Sequence, residues 1–182
     1  MNVSKHVVIT PVSTELNGTV ISHNPINELY REFVGDYPKF FKMDNLCKLG
    51  FLAAEFLLKE LSEKDRENVA ICIFNRNGSL ITDRNYQDTI SAYSYFPSPA
   101  LFVYTLANIV TGEIAIRHKI YGETSFYILP DKDDRLMEEI AMSSLQTSSP
   151  SFILYGWVDY ENKDDYLADL KLIAIGCADL AS

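Results

Sequence analysis

Basic residues are scarce in this sequence, histidine and cysteine are few and scattered, and no apolar run is long. Lys and Arg number 16 against 25 Asp and Glu, giving a formal net charge of −9. Nucleic acid and anionic membranes both recruit clustered Lys and Arg, so neither is expected as the main partner. The acidity also disfavours docking a strongly acidic carrier protein unless the few basic residues cluster; solubility is a sufficient reason for it. No stretch reaches the roughly 20 apolar residues of a membrane span. Met1 to Lys5 shows neither the basic nor the apolar region of a signal peptide, and a cytoplasmic protein is expected.

Cysteine pairing is equally poorly supported. Cys47, Cys72 and Cys177 form no CxxC pair, and each sits in an apolar stretch. Buried free thiols in a reducing compartment are the expectation. No phosphate-binding GxxxxGK[ST], no GxGxxG after a strand and no GxSxG elbow occurs. His6, His23 and His118 have no metal-ligand spacing, so no metal and no cofactor are expected.

What is present is an ordinary globular composition, 47% hydrophobic and 23% charged, with 11 Tyr and 10 Phe. That aromatic load marks a sizeable core or an interface. The pattern alternates strands and helices. Val7–Val12 reads as a strand. A helix follows with Asn24 as cap, Pro25 at its first position and Ile26, Leu29, Tyr30 and Phe33 as its apolar stripe. A second helix is capped by Asp44 and runs through Leu46, Leu49, Ala53, Phe56 and Leu57 to Lys59. Leu61 to Asn68 reads as a solvated turn, and Val69–Phe74 as a strand buried on both faces. Asn75 to Asn85 is a polar connection with a turn at Asn77-Gly78.

A third helix is expected from Thr105 to Lys119, stopped by Gly122. Thr124–Leu129 is a strand and Asp134–Leu145 a helix, with Leu136, Met137, Ile140, Ala141 and Leu145 on one face. The loop Gln146 to Ser151 follows. Phe152–Val158 and Leu170–Gly176 close the chain as strands, most easily paired antiparallel across the polar Asp159–Asp165 segment. Five strands and about four helices predict an α/β fold: a five-stranded mixed sheet with helices packed on its faces.

Local chemistry is sparse. His118, between Arg117 and Lys119, suits a helix C-terminus by charge. The run Asp131-Lys132-Asp133-Asp134-Arg135 lacks the ligand pattern of an EF-hand loop and reads as a solvated helix start. Glu113, inside an apolar helix, is either a locally hydrogen-bonded structural acid or a buried acid with a raised pKa.

One segment is more specific. Residues 96 to 122 run Phe96-Pro97-Ser98-Pro99, Phe102, Asn108, Gly112-Glu113-Ile114-Ala115 and a closing Gly122. This resembles the stretch that precedes the active-site cysteine of β-ketoacyl synthases. Physically, Pro99 holds Ser98 extended, Gly112 is expected to let its helix pack closely, and Gly122 to end that helix.

The resemblance implies a thiolase-like half-domain, with residues 1–182 forming a single domain like the N-terminal half of a synthase. It also implies a lost nucleophile. Lys132 stands at or beside the position of the catalytic Cys, and no Cys, Ser or Thr lies between Leu129 and Met142. The neighbouring carboxylates would oppose a thiolate or an acyl oxyanion there. A lone half of such a fold is expected to expose the helix face that a second half covers, and hence to self-associate or pair with an active ketosynthase. That is the arrangement of chain-length-factor subunits, in fatty-acid, polyketide or aryl-polyene-type synthesis, with an acyl carrier protein as a further possible partner. Two alternatives stay open. One is an acyl-thioester hydrolase or transferase using Lys132, His118 or Glu113. The other is an unrelated interaction module on the same half-fold.

Overall fold

The computed structural model describes residues 3–90, 97–144 and 150–175. The expectations for Phe96, Leu145, Gln146–Ser149, Gly176 and Cys177 fall outside them.

The most apolar run of the sequence organises the sheet. Every residue of β4 (Val69–Asn75) is buried. It lies parallel to β5 (Thr124–Ile128) on one side and to β6 (Phe152–Asn162) on the other. A strand walled on both faces and both edges has no place for a polar side chain unless it is hydrogen-bonded, which is why the run is unbroken. β6 then turns back through Lys163-Asp164 into β7 (Asp165–Ala174) as an antiparallel hairpin. The expected polar connection between these strands is therefore mostly strand. Asp164 and Asp165 are exposed and Glu161 is half-buried, Asp159 is buried, and Val158, Tyr166 and Ala168 face the core.

β1 (Val3–Ile9) pairs antiparallel with β7 and with β2 (Thr14–Leu16), and β2 pairs with β3 (Thr19–Ser22). The sheet order is β3-β2-β1-β7-β6-β4-β5, seven strands where five were expected. The two extra strands are a short hairpin around Asn17-Gly18, whose φ values of 52° and 78° are those of a tight primed turn. The first strand ends at Ile9, so Val12 is exposed rather than inside it.

On one face lies α2 (Asn45–Leu58), begun by the Asp44 carboxylate accepting from the Cys47 amide at 2.9 Å. Twelve of its 14 residues are buried, so it is covered on every side. The sheet covers its inner side, and α6 (Ile109–His118) lies against another. There a Cβ on Gly50 would stand 2.4 Å from Cγ2 of Val110. The close-packing glycine is thus Gly50, whereas a Cβ at Gly112 would meet nothing within 4 Å. The outer side is covered by α1 (Ile26–Phe33) and a 3-10 turn at Pro38–Lys42. Phe33 meets Phe56, and Tyr37 and Phe40 meet Phe51. The helix layer expected to be left open is sealed by the chain's own residues 25–43.

The other face is thinner. Met137 and Ala141 of α7 (Asp134–Ser144) cover Cys72, Phe74, Ile153 and Tyr155, while Leu136 points to solvent. Two expectations about the middle of the chain change. The solvated turn before β4 contains a short helix, α3 (Glu63–Glu67), capped by Ser62, and the polar connection after β4 contains α4 (Leu80–Gln87). The third helix, expected from Thr105, begins only at Ile109 as α6, and a further short helix, α5 (Pro99–Val103), precedes it. α6 stops at Lys119, which adopts φ 55°, three residues before Gly122. Gly122 serves a different purpose: a Cβ there would stand 2.1 Å from the Val69 carbonyl oxygen. It admits the chain against β4 at the start of β5.

Candidate functional site

β5 leads out of the sheet into the turn Pro130–Asp133 and then α7. Leu129 still donates to the Asn75 carbonyl at 2.9 Å, so the strand is held to its tip. Asp133 Oδ1 then accepts from the amides of Arg135 and Leu136, both at 3.0 Å. These are free donors of a helix start, and the chain's own carboxylate takes them. A site that stabilised an acyl oxyanion would need such donors unspent.

Lys132 is tied down as well. Its Nζ lies 2.9 Å from both oxygens of Asp134 and 3.0 Å from Asp169 Oδ2 on β7. Burial alone would lower its pKa, but the hydrogen bonds to Asp134 and Asp169 outweigh that and hold the ammonium above the usual lysine range. A charged, hydrogen-bonded amine is not a nucleophile. Asp169 also meets His6 Nε2 at 2.7 Å, and Lys171 stands 3.6 Å from Asp134. The turn is thus one part of a charge network spanning β1, β7 and α7. Beside it opens a cleft of about 190 Å³ lined by Arg76, Asp131, Lys132, Trp157, Asp159 and Tyr166, among others. Asp159 is buried and accepts from the Asn77 amide at 3.2 Å. Among the described residues, no serine, threonine or cysteine lines this cleft. Among the described residues, no group of three or more His, Cys, Asp or Glu converges as metal ligands.

The residues of the 96–122 segment behave structurally. Ser98 is extended and caps α5, accepting from the Leu101 amide at 3.3 Å, with Pro99 first in the helix. Phe102 is largely exposed, its ring 5.5 Å from Tyr86. Asn108 occupies the cap position of α6 without a side-chain cap bond. Glu113 is buried, paired with Lys39 Nζ at 2.8 Å and accepting from the Tyr104 hydroxyl at 3.3 Å. His118 is buried against Glu55 Oε1 at 3.4 Å, and neither ring nitrogen makes a hydrogen bond. Burial, then the Arg117 and Arg66 charges, lowers its pKa to about 4.

The three side chains on which acyl-thioester chemistry would rest are therefore not brought together. Lys132 belongs to the α7 face of the sheet, Glu113 and His118 to the α2 face, and each has its own partners. The network residues His6 and Asp169 were missed by sequence reasoning. The alternation Leu167-Asp169-Lys171 against Ala168-Leu170-Leu172 carried the signal, in a strand read as beginning only at Leu170.

No protein-family model matches the chain, and no curated protein matches it. Solved structures do. The ketosynthase ApeO in complex with its chain length factor ApeC, from Xenorhabdus doucetiae, aligns with a TM-score of 0.66 at 14% identity, over 96% of this chain and 79% of that one. The ishigamide ketosynthase/chain length factor aligns with a TM-score of 0.71 at 13% identity, over 95% of this chain and 61% of that one. The chain has the α/β fold found in these ketosynthase/chain-length-factor structures.

Proposed function

We propose that this chain is a non-catalytic ketosynthase-like subunit, a single thiolase-like domain of chain-length-factor type that pairs with an active ketosynthase. The observation that carries the reading is the filled turn after β5. Asp133 consumes the helix N-terminus, and Lys132 is locked by Asp134 and Asp169 where the resemblance places a nucleophile. A turn so occupied neither attacks a thioester nor stabilises its oxyanion, yet the fold that surrounds such a site is kept. Its role would be to complete or shape the acyl tunnel of a partner in fatty-acid, polyketide or aryl-polyene-type synthesis.

An unpartnered edge supports pairing. β5 is the last strand of the sheet, and its outer edge has no neighbour among the described residues. Ile128 and Ala107 both lie near Gly78, and Ile128 is exposed, as are Phe102, Val103 and Leu106 in the segment leading to Ala107. Open strand edges and clustered exposed apolar groups are normally covered.

Incubation with cerulenin or an acyl thioester, followed by intact-mass measurement, tests the catalytic half of the reading. The purified chain is expected to stay unmodified. A stoichiometric adduct at one residue would overturn it.

A further inference from the structure

We propose that residues 35–43 form a hinged strap that opens as a unit over the first turns of α2 while the sheet stays folded. The strap begins at Gly35, whose φ of +71° favours glycine, and ends at the Asp44 cap of α2. Between them, two backbone bonds are the segment's own, Phe40 to the Tyr37 carbonyl at 2.9 Å and Met43 to the Phe40 carbonyl at 3.1 Å, and the Tyr37 amide donates to the Tyr30 hydroxyl of α1 at 2.7 Å. No backbone–backbone hydrogen bond joins residues 36–43 to a strand or to another helix among the described residues. Segments bound to a fold only through side chains are the ones that open locally.

Its side-chain bonds all lead to one structural layer. Lys39 pairs with the buried Glu113, and Asp36 accepts from Arg117 at 2.7 Å. The Arg117 guanidinium lies 5.1 Å from the Tyr37 ring. Phe40 stacks on Tyr30 with centroids 4.0 Å apart and faces Phe51. Lys39 is half-exposed while Glu113 is not, so opening bares a carboxylate to water and offsets part of the cost of losing the pair. What lies beneath is the polar group of Glu113 and Tyr104 beside the thiol of Cys47, which is 2% exposed. The strap thus controls access to the helix layer that it seals, without dismantling the fold.

Two buried thiols make this measurable in the intact chain. Cys47 lies in the first turn of α2, near enough to Lys39 and Glu113 to feel both charges, whereas Cys72 lies in β4 on the other face. N-ethylmaleimide labelling, resolved by peptide mass, reads each opening separately. In the wild-type protein at low urea, roughly 0 to 1 M, Cys47 is expected to label faster than Cys72 and with little urea dependence, the mark of a local opening. Lys39→Ala is expected to speed Cys47 about tenfold while its weak urea dependence is kept. Equal rates and equal urea dependence at the two thiols would overturn the proposal, because both would then report global unfolding. So would a Cys47 rate indifferent to Lys39→Ala. The wild-type comparison stands alone if the variant does not fold. The proposal does not depend on pairing with a ketosynthase.

Discussion

Gly50 and Val110 are in direct opposition: a single added carbon on Gly50 would lie 2.4 Å from Cγ2 of Val110. The contact sets how near α6 lies to α2. Forcing a methyl into a packed core costs about 1–3 kcal/mol. Gly50→Ala is expected to lower the free energy of unfolding by that amount, read as a lower urea midpoint. Gly112→Ala, on the same helix pair but with open space around its Cβ, is expected to stabilise by about 0.5–1 kcal/mol, the helix preference for Ala over Gly. Equilibrium unfolding of both variants checks the contrast.

The 96–122 segment shows what was legible and what was not. Its residue types pointed to the right kind of fold, and Asp44, Val69–Phe74 and the α1 stripe were readable because each is a local signal: a cap, an unbroken apolar run, a helical period. The functions given to Gly112 and Gly122 were not readable. A glycine needed for close approach looks the same in sequence as any other, and the contact that needs it comes from Val110 for Gly50 and from the distant Val69 carbonyl for Gly122. The sealed face of α2 was hidden for the same reason. It depends on Tyr37 and Phe40 reaching Phe51 from a segment with no period of its own. The β2–β3 hairpin carried its Asn17-Gly18 signal openly, but its strands are three and four residues long, too short for alternation to show.

His118 predicts an acid limb. Its pKa is lowered from 6.5 to about 4 in the folded chain, so between those values the unfolded chain binds more protons. Stability is therefore full above about pH 6.5 and falls as pH drops toward 4. A shift of that size corresponds to roughly 3 kcal/mol. The facing groups are Glu55, Arg117 and Arg66. Because neither ring nitrogen is hydrogen-bonded, His118→Phe orphans no partner of the ring. Urea unfolding across this range is expected to show a shallower pH slope in the variant.

Restoring a thiol should not restore a nucleophile. Lys132→Cys removes the Lys132 ammonium from Asp134 and Asp169 and places the new thiol among Asp131, Asp133 and Asp134. Its pKa is expected above the ordinary value of about 8.5. The pH dependence of alkylation measures it, and a value well below 8.5 would contradict the description of the turn.

The exposed edge makes a surface prediction. Ile128 is 62% exposed at the end of β5, so Ile128→Lys is expected to change stability by no more than about 0.5 kcal/mol. If this edge carries the partner, the same change abolishes association. Thermal unfolding and size-exclusion chromatography of the mixture separate the two effects.

The most direct measurement is co-expression of the tagged chain with each ketosynthase of its source organism in turn, followed by affinity purification and a condensation assay. The account predicts a stoichiometric complex whose activity is lost when the ketosynthase cysteine is replaced and kept when Lys132 is replaced by Ala. A chain that purifies alone, or a complex whose turnover depends on Lys132, would contradict it.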